Sequence, residues 1–309
     1  MKLIVCTSGE YIIHNIIRLQ TAVTTTYLLY RSSDFRPLYS HLHELRAFVP
    51  SGVPMLAATA TVTDIIRRDV IQQLDMDGCK IISVSPNKPN IFYSVRKRCT
   101  IEDDFSSILD DLLLNAVKAK RVIVYCRSLN MCSALYGHFH YTLGDKSYYP
   151  PGAERKSDNR LFGMYHSKTD EHNKEVIMTS MSRQDGVVRV VFATMALGMG
   201  VNFSGLTCTI HYGAPRSLDD YFQESGRAGR GGEQSTSTIY WAPSDVPVRQ
   251  DLSDPRNAEV AVVRSYLENK VDCRRYLLLH YFDPALASIL ERLDKRLCCD
   301  TCKAVADKT

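Results

Sequence analysis

Short, largely apolar runs at residues 122–126, 187–193, 207–211 and 238–241, separated by stretches with helical spacing, constrain this chain most. A strand solvated on one face alternates polar and apolar residues, whereas one covered on both faces stays apolar. Runs of the second kind between helices predict a parallel sheet with helices on both faces, an α/β fold. One such helix lies ahead of the first run, over 101–119. Another follows it, with Ser128 as cap and Met131, Ala134, Leu135 and Phe139 spaced for one face. Strands over 55–58 and 80–84 flanking a helix over 62–74 read as the remnant of a further α/β unit. Residues 144–160, with Pro150-Pro151-Gly152, read as a surface loop. Beyond about residue 255 the pattern turns helical, with helices over 258–270 and 274–280.

Two stretches near the middle belong together. Val190 to Asn202 reads as a buried strand ending at Thr194 and running into a turn that holds Gly198 and Gly200. The second is Gln223-Glu-Ser-Gly-Arg-Ala-Gly-Arg230, on a helix expected to start at Ser217 with Asp219 and Asp220 in its first turn. On that helix Gln223, Arg227 and Arg230 fall at i, i+4 and i+7 and share a face. Gly226 and Gly229 between them would each cost about 1 kcal/mol relative to Ala, which fits a backbone that something approaches closely. Two guanidiniums on one face suit bidentate recognition of phosphate oxygens; the alternative is a solvated polar face.

Ten cysteines occur without a secretory pattern. Met1-Lys-Leu-Ile-Val-Cys6 begins like a signal peptide, but Ser8, Gly9 and Glu10 break the apolar run. No run is long enough for a membrane-spanning helix. An intracellular, reducing compartment follows, with the thiols as core residues or metal ligands. Cys299-x-x-Cys302 has metal-knuckle spacing, Cys298 abuts it, and Cys273 lies upstream; four thiolates can complete a tetrahedral zinc site. A redox pair or coincidence is the alternative, and a thioredoxin-like strand-to-helix context is lacking. The net charge of +4 and pI near 8.5 permit a nucleic-acid partner without requiring one.

Taken in order, these segments resemble the RecQ type of superfamily 2 helicases. Asp34-Phe-Arg-Pro-Leu-Tyr39 resembles the end of that family's aromatic-rich loop, Ala58-Thr59-Ala60-Thr61 its motif III, and Pro89-Asn90-Ile91 the crossing between lobes. Val122 to Ser128 resembles motif IV, Tyr165-His166 a pair that follows it, Thr194 to Asn202 motif V, and Gln223 to Arg230 motif VI. Cys273-Arg-Arg, Tyr281-Phe282 and the Cys298–Cys302 cluster resemble the zinc-binding region.

The resemblance implies a RecA-like second lobe, a small helical zinc-binding subdomain, and an ATP-dependent 3′-to-5′ DNA helicase acting in repair and recombination. It implies ATP, Mg²⁺ and zinc as cofactors. Single-stranded or forked DNA and DNA-repair proteins would be the partners, and the nucleus the location. By residue, it implies phosphate contact and coupling for Arg227, Arg230 and Gln223, and strand contact for Arg127, Ser128, Thr194 and Asn202. Gly198 and Gly200 form the motif V turn, Thr59 and Thr61 couple the lobes, and Cys273, Cys298, Cys299 and Cys302 hold the metal. The domains divide as an unmatched segment 1–33, a first-lobe remnant 34–90, a second lobe 91–250 and a zinc-binding region 251–309. Gly231 and Phe203-Ser204 depart from the usual Asp and Lys-Pro. His166 is read equally as a core histidine or a functional one.

The sequence holds no Gly-x-x-x-x-Gly-Lys-Ser/Thr and no Asp-Glu-x-His; Gly144-Asp-Lys-Ser147 lacks the adjacent Gly-Lys, and Asp170-Glu171-His172 reads as a helical first turn capped by Thr169. The expectation is therefore a truncated helicase portion unable to hydrolyse ATP alone. A non-enzymatic DNA-binding or regulatory interaction fragment is the alternative.

Overall fold

The computed structural model describes residues 2–6, 44, 55–59, 64–83, 86–194, 197, 203–247, 256–282 and 294–308. The chain divides into two compact units, Met1–Asn87 with Tyr276–Glu291, and Lys88–Arg275 with Arg292–Thr309.

In the first unit, β1 (Lys2–Cys6) lies between β2 (Met55–Thr59) and β3 (Lys80–Ser83) and runs antiparallel to both. The opening segment is thus a central strand whose backbone is bonded on both edges. Helix α1 (Asp64–Gln73) supplies Val70, which packs with Ala57, Leu74 and Met76 in a small core.

The second unit is a six-stranded, wholly parallel sheet. Its strands in chain order are β4 (Ile91–Lys97), β5 (Arg121–Cys126), β6 (Phe162–Tyr165), β7 (Val190–Ala193), β8 (Leu206–Tyr212) and β9 (Ser235–Trp241). Across the sheet they stand β4-β9-β8-β5-β7-β6. Every residue of β5 and β7 is buried, as near-continuous apolar strands require. Their alternate residues feed two cores. Val122, Val124, Val190 and Phe192 face α2 (Ile101–Asn115) and α3 (Leu129–Leu143) through Phe105, Leu109, Leu135 and Phe139. Ile123, Tyr125, Val191 and Ala193 join Ile177 and Met181 of α4 (Glu171–Ser182) on the other side. Helices therefore cover both faces, giving the RecA-like arrangement.

Helix caps follow short-range chemistry. Thr100 accepts from the Asp103 amide at 3.2 Å and Ser128 from Met131 at 3.2 Å. Helix α2 stops at Asn115 rather than 119: Ala116 takes φ +46° and its amide returns to Leu112, leaving only a 3-10 turn through Lys118. For α4 the cap is Asp170, not Thr169; its carboxylate accepts from Asn173 N at 2.9 Å. Thr169 instead accepts from the His166 amide and donates to Met164 O, both at 3.1 Å, so its hydroxyl is already committed. Residues 144–160 carry more order than a loop: Ser147 is fully buried, and Arg160 lies over the rings of Tyr136 and Tyr148 at 5.6 and 5.5 Å. Helices α6 (Arg256–Glu268), α7 (Arg274–Phe282), α8 (Lys295–Cys298) and α9 (Asp300–Ala306) complete the described chain.

Candidate functional site

Helix α5 (Leu218–Ser225) and the turn after it form the first cluster. The Ser217 hydroxyl accepts from Asp220 N at 3.1 Å, and Asp219 and Asp220 occupy the first turn, as expected. The helix then ends at Ser225, so Arg227 and Arg230 do not share a helical face with Gln223. Gly226 donates to Phe222 O at 3.0 Å, the Arg227 and Ala228 amides close tight turns onto Glu224 and Ser225, and Gly229 adopts φ +62°. Left-handed backbone suits glycine and stops a helix. A Cβ at Gly229 would stand 2.3 Å from Asn90 Nδ2 and 2.7 Å from Ser235 Oγ. The close neighbour is functional in the fold: the Asn90 amide donates to Gly229 O and to Glu233 O, each at 2.8 Å.

Two further anchors seat this turn on the sheet. Ala228 is fully buried, and Gly229 N donates to Leu206 O at 2.9 Å. The Lys88 ammonium donates to Gly226 O. Three cations thus gather at one turn: burial and then the Arg230 charge lower the pKa of Lys88, and burial and then Arg227 lower that of Arg230. Burial raises the Tyr125 pKa, with Arg227 and Arg230 pulling it down. His211, stacked on Tyr125 at 4.9 Å, shares a 2.7 Å hydrogen bond with Glu224, which ties α5 to β8 next to Gln223. At Gly231 the Glu233 carboxylate fills the space a side chain would take, its Oε1 2.4 Å from an ideal Cβ.

A second cluster lies at the carboxyl ends of the central strands. Tyr125 of β5 pairs with Ala193 of β7, so Arg127-Ser128 and Thr194 emerge side by side. Thr194 is held by a 3.2 Å bond from its amide to Tyr165 O. Arg127 is exposed, packs its chain against Gly213, and donates to Asp245 O. The chain reverses its direction of growth across the sheet between β5 and β8, and such switch points form crevices at strand carboxyl ends. Here the crevice is lined by Arg127, Arg216, His211 and Glu224. His166 is buried; its Nδ1 accepts from Lys168 N at 3.2 Å, and burial followed by Lys168 and Lys174 lowers its pKa. Phe203 is part of the core beside Tyr125, and the half-buried Ser204 accepts from Arg121 through its carbonyl. Gly198, Gly200, Asn202 and Thr61 lie outside the described residues, and only the strand backbone of Thr59 is described.

The third cluster brings Cys273, Cys298, Cys299 and Cys302 together, all sulfurs within 4.8 Å of one another. Cys273 Sγ is 3.5 Å from Cys298 Sγ and 3.9 Å from Cys299 Sγ. A tetrahedron with metal–sulfur bonds near 2.3 Å has sulfur edges of about 3.8 Å, so the donor set fits a Cys₄ zinc site. None of the four is in a disulfide. Hydrogen bonds from Cys273 and Cys298 favour the Cys299 thiolate, whose sulfur also accepts from Cys302 N at 3.5 Å. Asp300, between these cysteines, bonds Arg274 Nε at 2.5 Å and accepts from Val95 N of β4 at 2.9 Å.

Residues 105–232 match the helicase conserved C-terminal domain, and residues 249–303 match the RecQ zinc-binding domain. The first match contains the arginine turn, Arg127, Ser128 and Thr194; the second contains all four cysteines. The chain is 30% identical over 277 residues to the ATP-dependent DNA helicase hus2/rqh1 of Schizosaccharomyces pombe, covering 86% of this chain and 19% of that protein. The chain carries the pair of domains found in the C-terminal portion of RecQ-type helicases. It is also 31% identical over 258 residues to the ATP-dependent DNA helicase Q-like 2 of Arabidopsis thaliana, 81% of this chain and 33% of that one. It therefore spans about a fifth to a third of the length of these relatives. Saccharomyces cerevisiae Dbp5 bound to RNA and ADP BeF3 matches in fold, with a TM-score of 0.51 at 13% identity over 82% of this chain and 60% of that one. The zinc-binding match and the cysteine cluster together point to zinc. No helix of the described residues is long and apolar enough to cross a membrane.

Sequence reasoning missed Lys88, Arg275, His211 and Glu224 as parts of these clusters. Asn90 and Arg275 lay within quoted motifs, but their partners stand more than a hundred positions away, which local patterns do not reveal.

Proposed function

We propose that this chain supplies the phosphate-sensing and strand-contacting portion of an ATP-dependent 3′-to-5′ DNA helicase of repair and recombination, working in the nucleus. Arg227 and Arg230 meet the γ-phosphate of ATP bound with Mg²⁺, where arginine fingers act on developing charge. Gln223, on the helix leading into the turn, couples nucleotide state to lobe movement. The clustering of Lys88, Arg227 and Arg230 supports this role, because an arriving polyanion relieves their mutual repulsion.

The observation that carries the DNA assignment is the side-by-side emergence of Arg127-Ser128 and Thr194 from neighbouring parallel strands. There a backbone phosphate meets a guanidinium, hydroxyls and amides without reading sequence. By the resemblance, Gly198, Gly200 and Asn202 belong to the same strand-contacting motif as Thr194, and Thr59 and Thr61 to the motif that couples the lobes. Cys273, Cys298, Cys299 and Cys302 hold zinc, which when bound supplies a structural cross-link between α7, α8 and α9. Residues 1–309 contain no phosphate loop and no Asp-Glu-x-His, so this polypeptide does not hydrolyse ATP unaided.

Titration of a labelled oligonucleotide at two salt concentrations tests the reading. Binding should be weak and sequence-independent and should fall steeply with salt, because phosphate contacts release counterions. Arg127→Ala and Thr194→Ala should each weaken it by similar factors on unrelated sequences. Sequence-selective or salt-insensitive binding would contradict it, and no binding at low salt would favour a protein-interaction fragment.

A further inference from the structure

The cysteine cluster and the arginine turn are joined by one short segment. Arg275, two residues beyond Cys273, is 1% exposed. Its guanidinium donates to the carbonyls of Lys88, Pro89, Ile91 and Cys298 and lies 5.0 Å over the ring of Tyr93. Residues 88–91 are thus gripped on the cluster side. On the other side the same residues grip the turn: Lys88 reaches Gly226 O, Asn90 reaches Gly229 O and Glu233 O, and Asn90 O accepts from Ser235 N at 2.8 Å. The cluster is also fastened to β4, the outer strand of the sheet, through Asp300 to Val95 N and through a bridge between Cys299 and Tyr93.

We propose that residues 88–91 are a strap through which Arg275 and the cysteine cluster set the position of the arginine turn, making Arg275 and Asn90 positioning residues for Arg227 and Arg230. The inference rests on the zinc and phosphate assignments above for its purpose, but the strap itself stands on the hydrogen bonds. A planar guanidinium with several fixed donors can hold neighbouring carbonyls in one geometry, which a flexible ammonium cannot. Metal bound by Cys273 and Cys298 fixes both the backbone that carries Arg275 and the Cys298 carbonyl that Arg275 holds. Zinc loading then sets how firmly the strap, and hence the turn, is held. Gly229 is the point of contact, since any side chain there would displace Asn90.

Hydrogen exchange of the full 309-residue chain, read by mass spectrometry with zinc content measured on the same samples, tests this. Asn90→Ala should raise exchange across residues 226–232 by about tenfold or more, the equivalent of one or two hydrogen bonds, while zinc content and the protection of α3 stay unchanged. Chelation should raise exchange at both 88–91 and 226–232 and again spare α3. Arg275→Met should do the same, with Arg275→Lys recovering part of the protection. The strap is overturned if Asn90→Ala leaves 226–232 as protected as before. Its link to the cluster is overturned if chelation loosens α8 and α9 while 88–91 and 226–232 are unchanged. Absence of zinc from the purified protein would defeat the metal assignment instead, and the Asn90 and Arg275 variants would still decide the strap.

Discussion

Gly229→Ala is the sharpest perturbation of the arginine turn, and its cost can be built from two parts. Residue 229 sits at φ +62°, where a Cβ costs about 1–2 kcal/mol. The new Cβ would also stand 2.3 Å from Asn90 Nδ2, forcing that amide off its bonds to Gly229 O and Glu233 O. Each lost bond is worth about 1 kcal/mol, so the total is roughly 3–4 kcal/mol. Gly232 offers an internal control: it has φ +92° but nothing within 4 Å of an ideal Cβ, so Gly232→Ala bears only the backbone part. Urea unfolding followed by the fluorescence of Trp241, the only tryptophan and the last residue of β9, reports both. The midpoint of Gly229→Ala should fall well below that of Gly232→Ala with the slope unchanged. Equal losses in the two variants would refute the contact with Asn90 as the reason for glycine at 229.

Other expectations follow from the same geometry. Elemental analysis of freshly purified protein should find one zinc per chain, and Cys299→Ser/Cys302→Ser should abolish it; full retention in the double variant would exclude the Cys₄ assignment. Because Phe203 is 4% exposed in the core beside Tyr125, Phe203→Lys should cost at least the roughly 3–5 kcal/mol of truncating a buried aromatic. A urea midpoint unchanged in that variant would place the residue on a solvated surface instead.

The parts legible in the sequence were those set by local chemistry. Ser128 and Ser217 stand before helices as short acceptors, and the all-apolar β5 and β7 announce burial on both faces. The end of α5 was not legible, because Gln223, Arg227 and Arg230 have helical spacing whether or not the helix continues. It ends at Ser225, where the Arg227 and Ala228 amides turn back to carbonyls only three residues behind, and the turn that follows is held by Asn90, 139 positions from Gly229. Thr169 and Asp170 are both cap formers, and only the hydroxyl's engagement with His166 and Met164 decides between them. Strands β4 and β6 went unannounced because each mixes polar or small residues into a short run at an edge of the sheet. The four cysteines were legible as a set because three of them fall within five residues; the Arg275 strap that joins them to the turn was not.

The most direct measurement of the central claim is DNA-stimulated phosphate release from ATP by the purified 309-residue polypeptide, run beside Arg230→Ala. On the proposed roles, this polypeptide, whose sequence has no phosphate loop, should give no turnover above background in either protein. Turnover that is present in the native chain and lost in Arg230→Ala would contradict the account, since a contaminating ATPase would be indifferent to that change.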